Sequence, residues 1–222
     1  GEYDCAMKVL NDSAGSEDFA LNEFEILRTS FHPNIMRIFD LDKLPGTDVF
    51  YMIGQYVDGG NLYEVELSPD ELWQYFKQIL SALQYLHRIN VLHKDVKPQN
   101  IVVESGVAYL IDFNISALDS LLLGTMTYKD PEVKCKGWSK FSDIYSLVVG
   151  FLELSTGQHP FFENNDLPSH DVEARVPKTI PGLGPKTRQR IQQVLSHQID
   201  WDTVPDYLSW FGLVDTVDVD LP

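Results

Sequence analysis

Cysteine is scarce: the 222 residues hold only Cys5 and Cys135. Two cysteines build no disulfide framework, and no Cys/His run has zinc-ligand spacing. Both are expected to be reduced thiols of a cytoplasmic protein. Positive charge is also short. Seventeen Lys and Arg against 33 Asp and Glu give a formal net charge of −16. Such a surface repels phosphate backbones and anionic lipid, which argues against nucleic-acid or membrane-surface partners. It serves solubility, and it leaves room for a basic protein substrate. Long apolar runs are missing as well. The longest, Ile144 to Leu154, is polar-interrupted and too short to span a bilayer, and no signal peptide is visible.

What is present suffices for a core: 44% of the residues are hydrophobic and 12% aromatic. Cys5 to Leu10 reads as a strand that sets Lys8 among apolar neighbours. Ser16 is placed to cap a helix running through Phe24 and Leu27 to about Thr29. Met36 to Leu41 and Val49 to Gln55 are strand-length runs separated by the turn Leu44-Pro45-Gly46-Thr47. Asp58-Gly59-Gly60-Asn61 then breaks the pattern. Ser68-Pro69-Asp70-Glu71 is a capping box opening a helix with Leu72, Phe76, Ile79, Leu80, Leu83 and Leu86 on one face. Ser142-Asp143 starts a helix apolar nearly all round, hence buried, that stops at Gly157. A last amphipathic helix is expected over Pro185 to Ser196, after a Pro-, Gly- and Asn-rich loop. The expected architecture is α+β and bilobal: a small β-rich lobe with one helix over residues 1–57, and a larger helical lobe over 58–222.

The chemistry concentrates in Leu92-His93-Lys94-Asp95-Val96-Lys97-Pro98-Gln99-Asn100 and, beyond it, Ile111-Asp112-Phe113-Asn114. Together they supply two carboxylates, a lysine and a carboxamide at short fixed offsets. Phosphoryl transfer needs such a set: a carboxylate to orient a hydroxyl, a cation near the moving phosphate, and oxygen ligands for Mg²⁺. Here the chain resembles the eukaryotic-type serine/threonine protein kinases, with His-Lys-Asp for their His-Arg-Asp and Asp-Phe-Asn for their Asp-Phe-Gly.

The resemblance runs from Ala6-Met7-Lys8 to about residue 200, and it implies roles. Lys8 would hold the ATP phosphates, itself held by Glu23, with Glu25 as the fallback. Asp95 would accept the proton of the attacking hydroxyl, and Lys97 would balance charge on the γ-phosphate. Asn100 and Asp112 would ligate Mg²⁺. Thr125 and Thr127, in Gly124-Thr125-Met126-Thr127-Tyr128, would belong to the segment that frames a substrate hydroxyl. Backbone groups of Gln55 and Val57 would meet adenine, and Gly54 would stand at the gatekeeper position. The implied activity is ATP- and Mg²⁺-dependent transfer to protein hydroxyls, with a protein activator as a further partner. The alternative is a pseudokinase that binds nucleotide as a scaffold or allosteric partner.

The departures from the family pattern carry expectations of their own. The Gly-rich loop belongs about fifteen residues before Lys8, ahead of Gly1, which favours a fragment of a longer protein. Asn114 replaces a glycine, and asparagine is a tolerated residue at positive φ. Lys94 loses the bidentate fork of an arginine. With Gly54 at the gatekeeper, the pocket behind adenine is expected to be open unless a neighbour such as Met7 fills it. The usual arginine partner of Glu132 is missing, so the pair is lost or recruits Arg188 or Arg190. Asn61 and Gln99 are neutral where arginine-directed members carry carboxylates.

Overall fold

The computed structural model describes residues 4–9, 24–25, 27–112, 127–161 and 176–213. Strands β1 (Cys5–Val9), β2 (Ile38–Lys43) and β3 (Phe50–Gln55) form an antiparallel sheet with β3 in the middle. β2 starts two residues later than the sequence pattern indicates, and Pro45-Gly46 closes its turn to β3 with Leu44 N–H on Val49 O at 2.8 Å. Alternation along β1 turns Ala6 and Lys8 inward and leaves Met7 and Val9 exposed. Residues 24–25 and 27–29 are helical and bury Phe24 and Leu27; the expected cap, Ser16, lies outside the described residues.

The larger lobe is built on two helices. The first, α1 (Pro69–Arg88), opens with the expected capping box: Glu71 N–H reaches Ser68 Oγ, and Ser68 N–H returns to Glu71 Oε2 at 2.9 Å. After the short α2 (Val133–Lys136), α3 (Lys140–Thr156) forms the buried centre. It begins earlier than expected, at the cap Ser139, because Ser142 serves as the reciprocal N3 hydroxyl. It ends at Gly157, whose φ of +71° suits a residue without Cβ. Two further helices, α4 (Pro185–Leu195) and α5 (Tyr207–Phe211), complete the lobe. Phe76 of α1, Phe151 of α3 and Phe211 of α5 interlock edge to face at 5.2 and 5.4 Å, all fully buried. Truncating one such ring to alanine costs about 3–5 kcal/mol.

A second antiparallel sheet, β4 (Gly60–Asn61), β5 (Ile101–Glu104) and β6 (Val107–Leu110), covers these helices. The loop His32–Met36 joins the two sheets. Met36 N–H donates to Leu110 O (3.0 Å), Leu110 N–H to Asn34 O (2.9 Å), and the buried Asn34 amide reaches Ala108 O and Gln78. The cleft between the lobes therefore has a pinned back edge. Among the described residues, no helix is long and apolar enough to cross a membrane.

Candidate active site

The loop between α1 and β5 is fixed by a carboxylate from beneath. Asp143, in the first turn of α3 and 1% exposed, accepts the backbone N–H groups of His93 (2.8 Å) and Lys94 (2.9 Å) and meets His87 Nε2 at 3.0 Å. Burial pushes the Asp143 carboxyl up, but its bonds to His87 and to the His93 N–H outweigh that and hold it below the usual value. His87 is braced in turn by Tyr207 OH at 2.8 Å. Lys94 takes φ +67°, a conformation costly for a side-chain-bearing residue, over this anchor.

His93 is fully buried, and burial drives its pKa down. Its Nδ1 accepts from Asp95 N–H (3.3 Å), so Nε2 carries the proton donated to Ile111 O at 2.9 Å. That bond ties the first chemical segment to the second. Ile111 N–H on Asn100 O (2.9 Å) ties them again.

Asp95 follows at the lip of the cleft. Lys97 Nζ lies 2.7 Å from its Oδ2, and Asn100 Nδ2 bridges its Oδ2 (2.9 Å) and its backbone carbonyl (2.8 Å). Pro98 and Asn100 belong to a 3₁₀ turn whose Pro98 ring abuts Gly150 of α3. An added Cβ at Gly150 would lie 2.9 Å from Pro98 Cδ, so α3 can seat this turn only where it lacks a side chain. Asp112, with φ +65°, forms an ion pair with Lys8 at 2.5 Å, both side chains about 40% exposed. Asp95, Lys97, Asn100, Asp112 and Lys8 thus converge.

Other expected residues fare differently. Glu23, Asn114 and Thr125 lie outside the described residues. The fallback Glu25 faces outward and pairs with Arg28 (2.7 Å). Thr127 is half-buried just before Tyr128. Gln55 N–H is committed to Arg37 O at 2.8 Å, so only its carbonyl remains a candidate for adenine; the Val57 carbonyl accepts from Gly59 N–H. Gly54 is flanked by Arg37 O and the Met36 thioether, 3.1 and 3.2 Å from where a Cβ would stand. Met36, and not the 60% exposed Met7, takes the space that the glycine leaves.

Glu132 recruits neither arginine. It pairs with Lys136 one turn on (2.8 Å), while Arg188 serves the carbonyls of Val176 and Pro177 and Arg190 lies over the Trp210 ring. The tie from this segment to the late part of the lobe is His197, whose Nε2 meets the buried Asp130 at 2.8 Å. No motif marks that histidine. The left-handed turn after α4 delivers it.

A small antiparallel sheet over a helical lobe, with this cluster in the cleft, is the protein kinase architecture. The protein kinase domain family model matches residues 2–200, and the chain belongs to that family. Curated relatives include the serine/threonine-protein kinase GRIK1 of Arabidopsis thaliana, 32% identical over 79% of this chain and 48% of its own length. PrkC, a serine/threonine-protein kinase of Bacillus subtilis, is 34% identical over 72% of this chain and 27% of its own. The chain spans less than half the length of either relative. Among solved structures, Rad53 residues 1–466 in complex with AMP-PNP superposes with a TM-score of 0.73 over 95% of this chain and 58% of that one. At 23% identity it establishes the fold.

Proposed function

We propose that this domain is an ATP-dependent serine/threonine protein kinase. The observation that carries the reading is the Asp95 carboxylate, held between Lys97 and Asn100 and joined through His93 and Ile111 to the Lys8–Asp112 pair. The serine/threonine kinases among its relatives support it. Asp95 is the group that orients a substrate hydroxyl and takes its proton. Lys97 neutralises charge that grows on the transferring phosphoryl oxygens, and Lys8 holds the phosphates behind it.

Mg²⁺ fits the donors present. The amide nitrogen of Asn100 is spent on Asp95, which leaves its carbonyl oxygen as a hard ligand, and Asp112 offers a half-exposed carboxylate. When bound, the ion would offset phosphate charge. The Lys8–Asp112 pair must loosen as nucleotide enters, because both partners then take phosphate or metal. Glu23 as the holder of Lys8, Thr125 and Thr127 as the substrate-framing residues, and the Gln55 carbonyl, Val57 and Gly54 as the adenine edge complete the proposal. So do a lobe division after residue 57, protein substrates and a cytoplasmic setting.

The test is γ-phosphate transfer from ATP to generic protein substrates with Mg²⁺. Asp95→Asn and Asp112→Ala are each expected to lower kcat by about 10²–10⁴-fold. Activity that survives both changes refutes the assignment. Nucleotide binding without transfer in the wild type would instead favour the scaffold, a reading to which the self-satisfied Lys8–Asp112 pair lends support.

A further inference from the structure

The catalytic loop has a neighbour that the transfer chemistry does not use. Glu153 sits near the C-terminal end of α3, with Oε2 held by two tyrosine hydroxyls. Tyr63 OH lies 2.5 Å from it and Tyr128 OH 2.7 Å, and the two hydroxyls are 2.5 Å apart. The three residues come from separate places: the turn after β4, the segment that follows Thr127, and the central helix.

All three border the expected path of a substrate. Leu62 N–H donates to Pro98 O and Ile101 O, so the turn that carries Tyr63 is stitched to the catalytic loop. The Tyr63 N–H is capped by Asn61 Oδ1 at 3.0 Å, which fixes where the ring departs. Tyr128 also lies beside the side chain of Gln99, between Lys97 and Asn100. Tyr63 is 44% exposed, whereas Tyr128 is buried. His159 flanks the cluster, its ring 5.6 Å from that of Tyr128. Burial and the bond to Glu153 push both phenols upward, that of Tyr128 to about 12, so both keep their protons.

A carboxylate beside a peptide groove is ordinarily a receptor for a substrate lysine or arginine. Here two neutral hydroxyls already hold its Oε2, and that of the exposed Tyr63 is the outer one. We propose that Tyr63 is a specificity-determining residue: its hydroxyl caps Glu153 and makes the groove indifferent to basic residues near the acceptor. The inference rests on the kinase reading above, and it names the substrate class as hydroxyl peptides without a basic determinant at the position that reaches Glu153. Asn61 and Gln99, both neutral, leave the same stretch without a competing carboxylate.

The test walks one arginine through the five residues on either side of the serine in an otherwise neutral peptide. At each position kcat/KM is compared with that of the arginine-free parent. The parent in each set normalises any general loss of fold or rate. In the wild type the ratio stays near one throughout. In Tyr63→Phe it rises about tenfold at one position, the scale of one charge-assisted hydrogen bond, and the rise appears in KM. Adding Glu153→Gln to Tyr63→Phe abolishes it. A ratio that never moves in Tyr63→Phe, or that rises equally in the double variant, overturns the proposal while leaving the kinase reading intact. Failure of the wild type to phosphorylate any peptide overturns both.

Discussion

Gly150→Ala tests how the loop that carries Asp95 is held. On the helix alone the change is favourable by about 1 kcal/mol, because glycine in a helix interior carries a backbone entropy penalty. The new methyl would meet Pro98 Cδ at 2.9 Å and Cγ at 3.1 Å. Carbon atoms pack best at about 3.5–4.0 Å, so the proline must retreat by roughly 0.6–1 Å. A pyrrolidine ring cannot swing aside as a lysine tail does, so the backbone of the Pro98–Asn100 turn moves with it. Overpacking of this kind costs about 1–3 kcal/mol, which exceeds the helix gain and leaves a net loss of about 0–2 kcal/mol. The functional effect is larger than the stability effect. Lys97 and Asn100 both grip Asp95 from this turn, and a displacement near 1 Å at a reacting group costs about a hundredfold in rate. Steady-state transfer should fall by about 10- to 100-fold while the urea midpoint shifts little. As a control, Gly157→Ala adds a methyl with nothing within 4 Å at φ +71°. It should cost about 1 kcal/mol of stability and leave kcat alone. Full activity in Gly150→Ala would refute the claim that the missing side chain sets the loop.

Acid should destabilise the fold from neutrality downward. Burial lowers the pKa of His32, His93 and His159 from 6.5, so the unfolded chain binds more protons just below that pH. Their contribution is complete above pH 6.5 and falls until the pH passes each folded value; that of Asp143 is complete above 3.8 and lost below. A urea midpoint at pH 5.5 equal to that at pH 7.5 would contradict this. Met36→Ala empties the space beside Gly54. It should raise kcat/KM for N6-benzyl-ATP relative to ATP at a stability cost of about 2 kcal/mol, and a wild type that already accepts the bulky analogue equally well would show that Met36 does not close the pocket. His197→Ala removes one donor from the buried Asp130 carboxylate and leaves the Glu132 N–H on it, so it should cost about 1 kcal/mol by chemical denaturation, partly restored in His197→Gln. A loss below about 0.5 kcal/mol would make that pair ornamental.

The contact of Asp95 with Lys97 and Asn100 was legible in the chain because the three lie within one short loop, where spacing along the sequence reports spacing in space. The α1 start at Ser68 was legible for the same reason, since a capping box is local. The start of α3 was misplaced by a local ambiguity. Ser142-Asp143 looks like a cap, but Ser139 offers the same hydroxyl three residues earlier, and the loop amides claim Asp143. What the sequence hid is tertiary. Met36 meets Gly54 across two strands, His197 meets Asp130 through a turn after α4, and Tyr63 meets Glu153 from 90 residues away in the chain. No periodicity encodes such pairs. α5 was hidden because its five residues, capped by Asp206 on Ser209 N–H, are too few to display a face.

Asp143 and Gly150 stand two turns apart on α3, about 10 Å along its axis. One holds the start of the Asp95 loop by attraction, and the other admits its end by vacancy. The helix is thus a ruler for the loop, with marks at His93 and Pro98. A chain measured at both ends tolerates a change of residue between the marks far better than a change in their number. Inserting or deleting one residue between His93 and Pro98 would leave one mark unmet, however well the new sequence suited the chemistry. Transplanting this loop into another scaffold would require the helix beneath it as well.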